Sequence, residues 1–181
     1  AAKRTFLMNQ AIKADNFFYK NTHKGVELRG KKLAIIGFGR IGRAVAKKAY
    51  NGLEMEILAY DPYAKPETVP AYVSLVDWET AFQTADFISL HMPLTKDNRG
   101  FIGKKEFEMM KPEAYFINCA RGEVVNEPEL IQALKEEQIA GAFVDVYNQE
   151  PPAADNPLLF MENVSVTPHM ASNTIECMRL M

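Results

Sequence analysis

Four apolar residues, Leu33-Ala-Ile-Ile36, run directly into Gly37-Phe-Gly-Arg-Ile-Gly42. The residues that follow, Arg43-Ala-Val-Ala-Lys-Lys-Ala-Tyr50, read as a helix. A strand, a tight glycine turn and a helix start, in that order, leave little choice of architecture. The pattern demands a strand–turn–helix unit whose backbone N–H groups face an anion, and it matches a dinucleotide pyrophosphate site. Gly37 permits the turn, Gly39 lets the backbone approach the phosphates, and Gly42 lets the helix pack on the sheet. Glycines alone also fit an empty strand–helix turn, so a second signal is needed. It comes from Ile57-Leu-Ala-Tyr-Asp61, an apolar run ending in a carboxylate 19 positions past Gly42. An acid about 20 residues on is the expected partner of the adenosine ribose. Its carboxylate would repel a 2′-phosphate, and Pro62 and Tyr63 follow it rather than an arginine, so NAD is expected over NADP.

Downstream, strand-like and helix-like segments alternate. Strands are expected at 33–36, 56–60, 72–75, 86–90, 114–118, 139–145 and 164–167. Helices are expected at 40–51, 77–84, 103–110, 126–137 and 172–181, with Asn126 as an N-cap ahead of Pro128 and Glu129. Residues 1–20 read as a further helix, and 21–32 as a polar linker. Alternation with continuous apolar strands predicts an α/β domain, a doubly wound parallel sheet of the Rossmann type. In such sheets ligands sit at the carboxyl ends of the strands. Three of those ends carry ionisable residues: Arg121 after Phe116-Ile-Asn118, Asp145 after Phe143-Val144 with Glu150 beyond it, and His169 after Val164-Ser-Val166. Singly, these fit a surface charge, a loop acid and a hydrogen-bonded structural histidine. Jointly, on one edge of a dinucleotide fold, they point to chemistry.

The balance of the composition excludes other classes. The 181 residues suit one domain, and a net charge of −2 gives no ground for nucleic-acid or membrane-surface binding. No apolar run is long enough to span a membrane, and no signal-peptide pattern opens the chain. Cys119 and Cys177 form neither a disulfide framework nor a metal-ligand spacing, so no metal is expected and the expected setting is the reducing cytoplasm.

With these motifs in place, the chain resembles the NAD-binding domain of the D-isomer-specific 2-hydroxyacid dehydrogenases, which include D-3-phosphoglycerate dehydrogenase and glyoxylate/hydroxypyruvate reductase. The resemblance rests on Glu27-Leu-Arg-Gly-Lys-Lys-Leu33 leading into the glycine turn and on Ser89-Leu-His-Met-Pro-Leu-Thr95. Asn118-Cys-Ala-Arg-Gly122, Asp145-Val146, Gln149-Glu-Pro151 and Thr167-Pro-His169 follow in the family's order. It implies Arg121, Glu150 and His169 as the catalytic residues. Arg40, Ile41, Asp61, Cys119, Ala120, Arg121, Asp145, His169, Ala171 and Ser172 would contact cofactor, with His91, Pro93 and Thr95 lining its channel. His91 also fits a strand-end histidine bonded to backbone. The implied reaction is hydride transfer between NADH and the carbonyl of a small 2-keto acid. An NAD(H)-binding regulatory module, similar to the C-terminal-binding-protein corepressors, is the alternative.

The resemblance further implies a separate substrate domain, absent from this chain. Residues 1–29 would be a remnant of an interdomain helix and linker, and 30–181 the cofactor domain, cut within its last helix. The family's interdomain helix pairs subunits, implying a homodimer; packing of 1–20 on the domain's own sheet is the other reading. Met170-Ala171-Ser172 stands where phosphoglycerate dehydrogenases often carry Gly-Gly, a departure that bears on substrate choice.

Overall fold

The computed structural model describes residues 2–180. Its seven strands are β1 (Lys32–Ile36), β2 (Glu56–Tyr60), β3 (Val73–Leu75), β4 (Phe87–Leu90), β5 (Tyr115–Asn118), β6 (Gly141–Val144) and β7 (Val164–Val166). All pair in parallel, in the order β3-β2-β1-β4-β5-β6-β7. The order reverses between β1 and β4, where a crevice opens at the carboxyl ends. The helices are α1 (Thr5–Lys13), α2 (Arg40–Leu53), α3 (Trp78–Thr84), α4 (Lys104–Met109), α5 (Glu127–Lys135) and α6 (Ile175–Leu180).

The period of two along β1 divides the interior into two cores. Ala34 and Ile36 point to one face, packing with Phe82 of α3, Phe107 of α4 and Leu130 and Leu134 of α5. Leu33 and Ile35 point to the other, with Ala46 and Ala49 of α2 and with Val26 and Leu28 of the N-terminal segment. This two-sided burial explains why the strands read as unbroken apolar runs. All seven expected strands are present. The sixth is shorter than the expected 139–145, running only from Gly141 to Val144, although the Asp145 N–H still donates to the Asn118 carbonyl at the end of β5.

Three expectations need correction. Residues 1–20 are not one helix: α1 stops at Lys13, Asp15 takes a left-handed φ of 58°, and a separate 3₁₀ turn covers Phe17–Asn21. The last helix begins at Ile175 rather than 172, and Met181 lies outside the described residues, as does Ala1. Asn126 occupies the N-cap position of α5, but its side chain makes no capping bond. None of the residues of α1 is buried, and Phe6, Ile12, Phe17 and Phe18 stand exposed. Arg4 and Leu7 nonetheless line a small cavity with Tyr115, Ala140 and Ser165 beneath the sheet.

Candidate functional site

β1 ends at Ile36, and the glycine turn begins at once. Gly37 has φ +94°, and a Cβ there would press on the His91–Met92 backbone at 2.8 Å. Gly42 meets the Gly37 carbonyl so closely that no side chain fits. Gly37 is therefore set by packing against the segment after β4, and Gly42 by the approach of α2 to the glycine turn and to Ile35 of β1. Gly39 differs, with nothing within 4 Å of where its Cβ would stand. The N–H groups of Arg40, Ile41 and Gly42 open α2 without partners in the helix, and no acid sits in its first turn. Ile41, 68% exposed, forms a cleft with Gly39, Arg40 and His91.

Asp61 closes this end. One carboxylate oxygen accepts the Phe38 N–H at 2.8 Å and the other accepts the Tyr63 N–H at 2.8 Å. Each oxygen keeps a second lone pair for a hydroxyl. An uncovered Gly39, a row of unpaired N–H groups and a fixed carboxylate together fit a dinucleotide: pyrophosphate over the turn, ribose at Asp61.

The second half of the edge is built by β5, β6 and β7. At the end of β5 the buried Asn118 side chain accepts the Ala120 N–H at 3.0 Å and donates to the Arg121 carbonyl at 3.1 Å. Arg121 is exposed, and its guanidinium donates to the Ala120 carbonyl at 2.6 Å. Cys119 beside it is half-buried; burial and the Asp145 charge push its thiol up to about 11, so it stays protonated and is no nucleophile. Gly122 sits against the Tyr147 carbonyl with no room for a Cβ, which lets the loops after β5 and β6 run side by side.

At the end of β6, Asp145 is 1% exposed. Its carboxylate accepts the Thr167 hydroxyl at 2.5 Å and the N–H groups of Met170 and Ala171 at 2.8 and 2.9 Å. Burial raises its pKa, but these bonds and the nearby His169 outweigh that, so it lies below the ordinary carboxylate range. The Asp145 carbonyl also accepts the His169 N–H at 2.8 Å. Asp145 thus ties down the segment where His169 adopts a left-handed φ of 50°. Glu150, on the loop beyond, meets His169 of the loop after β7: Nδ1 to Oε2 is 2.7 Å, and Glu150 also accepts the Tyr147 N–H at 3.1 Å. Burial pushes the Glu150 carboxyl up, and the bonds from His169 and Tyr147 bring it below its usual value, so it is ionised at neutral pH.

The structure therefore joins Glu150 to His169 and sets Arg121 exposed two strands from β7. His91 bonds through Nε2 to the Ser89 hydroxyl at 2.9 Å, a side-chain partner rather than the backbone one expected of a strand-end histidine. Burial pushes its pKa down to about 4, leaving a neutral ring beside the glycine turn. Pro93 and Thr95 lie on an exposed loop held by Asn98, which donates to the Pro93 carbonyl and accepts the Thr95 N–H. Ala171 and Ser172 are exposed just past His169. Residues the sequence reading passed over are Asn118 as a turn-former, Gly122, Tyr147 and Arg43. The Arg-Gly pair after a strand end was the available signal for Gly122.

Comparison with known proteins decides the family. The sequence model described as "D-isomer specific 2-hydroxyacid dehydrogenase, NAD binding domain" matches residues 1–171. The chain belongs to that family. It is an NAD-binding domain with a seven-stranded parallel sheet. Among relatives, a D-3-phosphoglycerate dehydrogenase of Archaeoglobus fulgidus is 47% identical over 84% of this chain and 29% of its own length. A glyoxylate reductase of Thermococcus litoralis is 48% identical over 84% of this chain and 46% of its own. The chain thus spans less than half of these dehydrogenases. The solved glyoxylate reductase from Paecilomyes thermophila superposes with a TM-score of 0.91 at 30% identity, covering 99% of this chain and 54% of that one. The NAD-complexed D-isomer specific 2-hydroxyacid dehydrogenase of Lactobacillus delbrueckii gives 0.84 at 31% identity, covering 98% and 58%. Among the described residues no helix is long and apolar enough to cross a membrane, and no cluster of three metal-ligating side chains occurs.

Proposed function

We propose that the complete protein carrying this domain interconverts a small 2-keto acid and its D-2-hydroxy acid, with NADH as reductant. The observation that carries the proposal is the 2.7 Å Glu150–His169 contact on the sheet edge that begins at the glycine turn. NADH, when bound, supplies the hydride for the carbonyl carbon. The protein must then deliver a proton to the carbonyl oxygen and hold the acid in place. Ionised Glu150 accepts the Nδ1–H of His169, fixes the ring plane and leaves Nε2 turned away as the proton-bearing atom. In reduction the imidazolium Nε2 gives its proton to the carbonyl oxygen; in oxidation the neutral Nε2 takes the hydroxyl proton. Arg121 pairs its planar guanidinium with the substrate carboxylate, a bidentate fit that lysine lacks.

On the cofactor side, the N–H groups at Arg40, Ile41 and Gly42 hold the pyrophosphate, and Asp61 accepts the ribose hydroxyls and disfavours a 2′-phosphate. Pro93, Thr95, Cys119, Ala120, Ala171 and Ser172 supply the walls. Asp145 acts on cofactor and substrate through the 169–171 segment that it anchors. Residues 30–181 are read as the cofactor domain and 1–29 as an interdomain element. The exposed Phe6, Ile12, Phe17 and Phe18 are read as half of a homodimer contact. Reduced cysteines suit a cytoplasmic setting.

The test is NADH oxidation, followed by absorbance, with a panel of 2-keto acids from glyoxylate upward. Turnover on at least one supports the proposal. NADH binding without turnover on any of them contradicts it and favours the regulatory reading. Sedimentation of the complete protein tests the dimer, a monomer at micromolar concentration being the contrary result.

A further inference from the structure

Arg43 lies one position beyond the glycine turn, on the first turn of α2, yet most of its contacts are with loops rather than the helix. Its Nε donates to the Phe38 carbonyl at 3.1 Å, and its guanidinium lies 4.6 Å from the centre of the Phe38 ring. Its other end crosses to Thr68, donating to the carbonyl at 2.6 Å and to the hydroxyl at 3.2 Å. Thr68 closes the turn that begins at Asp61, and its hydroxyl is itself held by the Lys65 carbonyl at 2.8 Å. Phe38 is thus gripped from both sides of one residue. Its N–H goes to Asp61, and its carbonyl goes to Arg43.

The 61–68 loop is therefore fastened to the glycine turn at both ends, by Asp61 where it starts and by Arg43 where it finishes. Between these anchors the described contacts are local ones: Asp61 Oδ1 with the Tyr63 N–H, and the Ala64 N–H with the Asp61 carbonyl. A free loop of this length samples many shapes, and ordering it during binding would cost affinity. A planar guanidinium with five donors bridges two loops at once, which a lysine point charge cannot do.

We propose that Arg43 is a positioning residue for the adenosine half of the dinucleotide: it locks the 61–68 loop, and through Phe38 the Asp61 carboxylate, in the ribose-binding pose before ligand arrives. The inference rests on the NAD site described above. It gives Arg43 no direct bond to the ligand; its effect is preorganisation of Asp61 and of the wall beside it.

The test is ligand-observed NMR titration of this chain with three separate probes: NADH, 5′-AMP and nicotinamide mononucleotide. Arg43→Met keeps the aliphatic stack on Phe38 and removes the donors. It should weaken NADH and 5′-AMP by the same factor, about tenfold, and leave nicotinamide mononucleotide within twofold. Arg43→Lys should fall between. Thr68→Val, which removes the hydroxyl that accepts from Arg43 and donates to the Lys65 carbonyl but keeps the Thr68 carbonyl acceptor, should weaken 5′-AMP by a smaller factor in the same direction. Equal loss on all three probes would show general damage to the fold and overturn the inference, as would unchanged 5′-AMP affinity. Should Arg43→Met not fold, Arg43→Lys and Thr68→Val decide by the same ratio. Failure of the unsubstituted chain to bind NADH would overturn the site itself, and this inference with it.

Discussion

His91 gives the sharpest thermodynamic prediction, because its burial makes acid stability depend on one ring. In the native chain its pKa is pushed down to about 4 by burial, against 6.5 for a free histidine. Between those two pH values the unfolded chain binds a proton that the native chain refuses. Stability therefore rises with pH across this window, is fully present above about 6.5, and is lost as pH falls toward 4. A gap of about 2.5 pH units at ~1.36 kcal/mol per unit gives an upper figure of about 3.4 kcal/mol. Partial exposure of the ring reduces this to about 2–3 kcal/mol. The carboxylates with lowered pKa values, Asp86, Asp145 and Glu150, add their own loss at lower pH. Urea unfolding at intervals from pH 7.5 to 4.5 measures the slope; with m of about 2 kcal/mol/M, the midpoint should fall by roughly 1 M. His91→Asn has no proton to take up. Its loss across the window should be smaller by about 2 kcal/mol, so that the two curves converge toward low pH. Parallel curves for the two proteins would refute the reasoning and place the acid sensitivity elsewhere.

Gly122→Ala should cost at least about 3 kcal/mol or prevent soluble folding, since its Cβ has no space against the Tyr147 carbonyl; an unchanged urea midpoint would contradict that. Asp145→Asn turns an amide NH₂ toward a donor at one of its contacts. Amide exchange at Met170 and Ala171 should quicken by about tenfold or more, with protection in β4 kept, and stability should fall by about 1–3 kcal/mol. Glu150→Gln in the complete protein should lower turnover by roughly 10²-fold with NADH affinity nearly kept, because the amide cannot stabilise an imidazolium; full activity would remove Glu150 from its role.

Much of the fold was legible because parallel strands buried on both faces leave apolar runs such as Leu33–Ile36 and Phe87–Leu90. The break after α1 was not. Ala14-Asp15-Asn16 contains neither glycine nor proline, and an Asp that enters the left-handed region more readily than most residues is too weak a signal to mark the break by itself. Strand ends told which residues share the functional edge, since topology alone brings them there. They could not tell which side chains touch. The Glu150–His169 contact depends on the closure of a 19-residue separation. The role of Asp145 depends on burial that no local pattern reveals. By contrast, the Ser89–His91 bond was within reach, because residues two apart on a strand share a face.

In the proposed reaction the glycine turn and the Glu150–His169 pair act as one hydride-transfer site. Its most direct test is His169→Ala in the complete protein, read by NADH binding and by steady-state reduction of the preferred 2-keto acid. NADH affinity should stay within about threefold of the unsubstituted protein, and turnover should fall by roughly 10²–10⁴-fold. Turnover left intact, or NADH binding and turnover lost together, would contradict it.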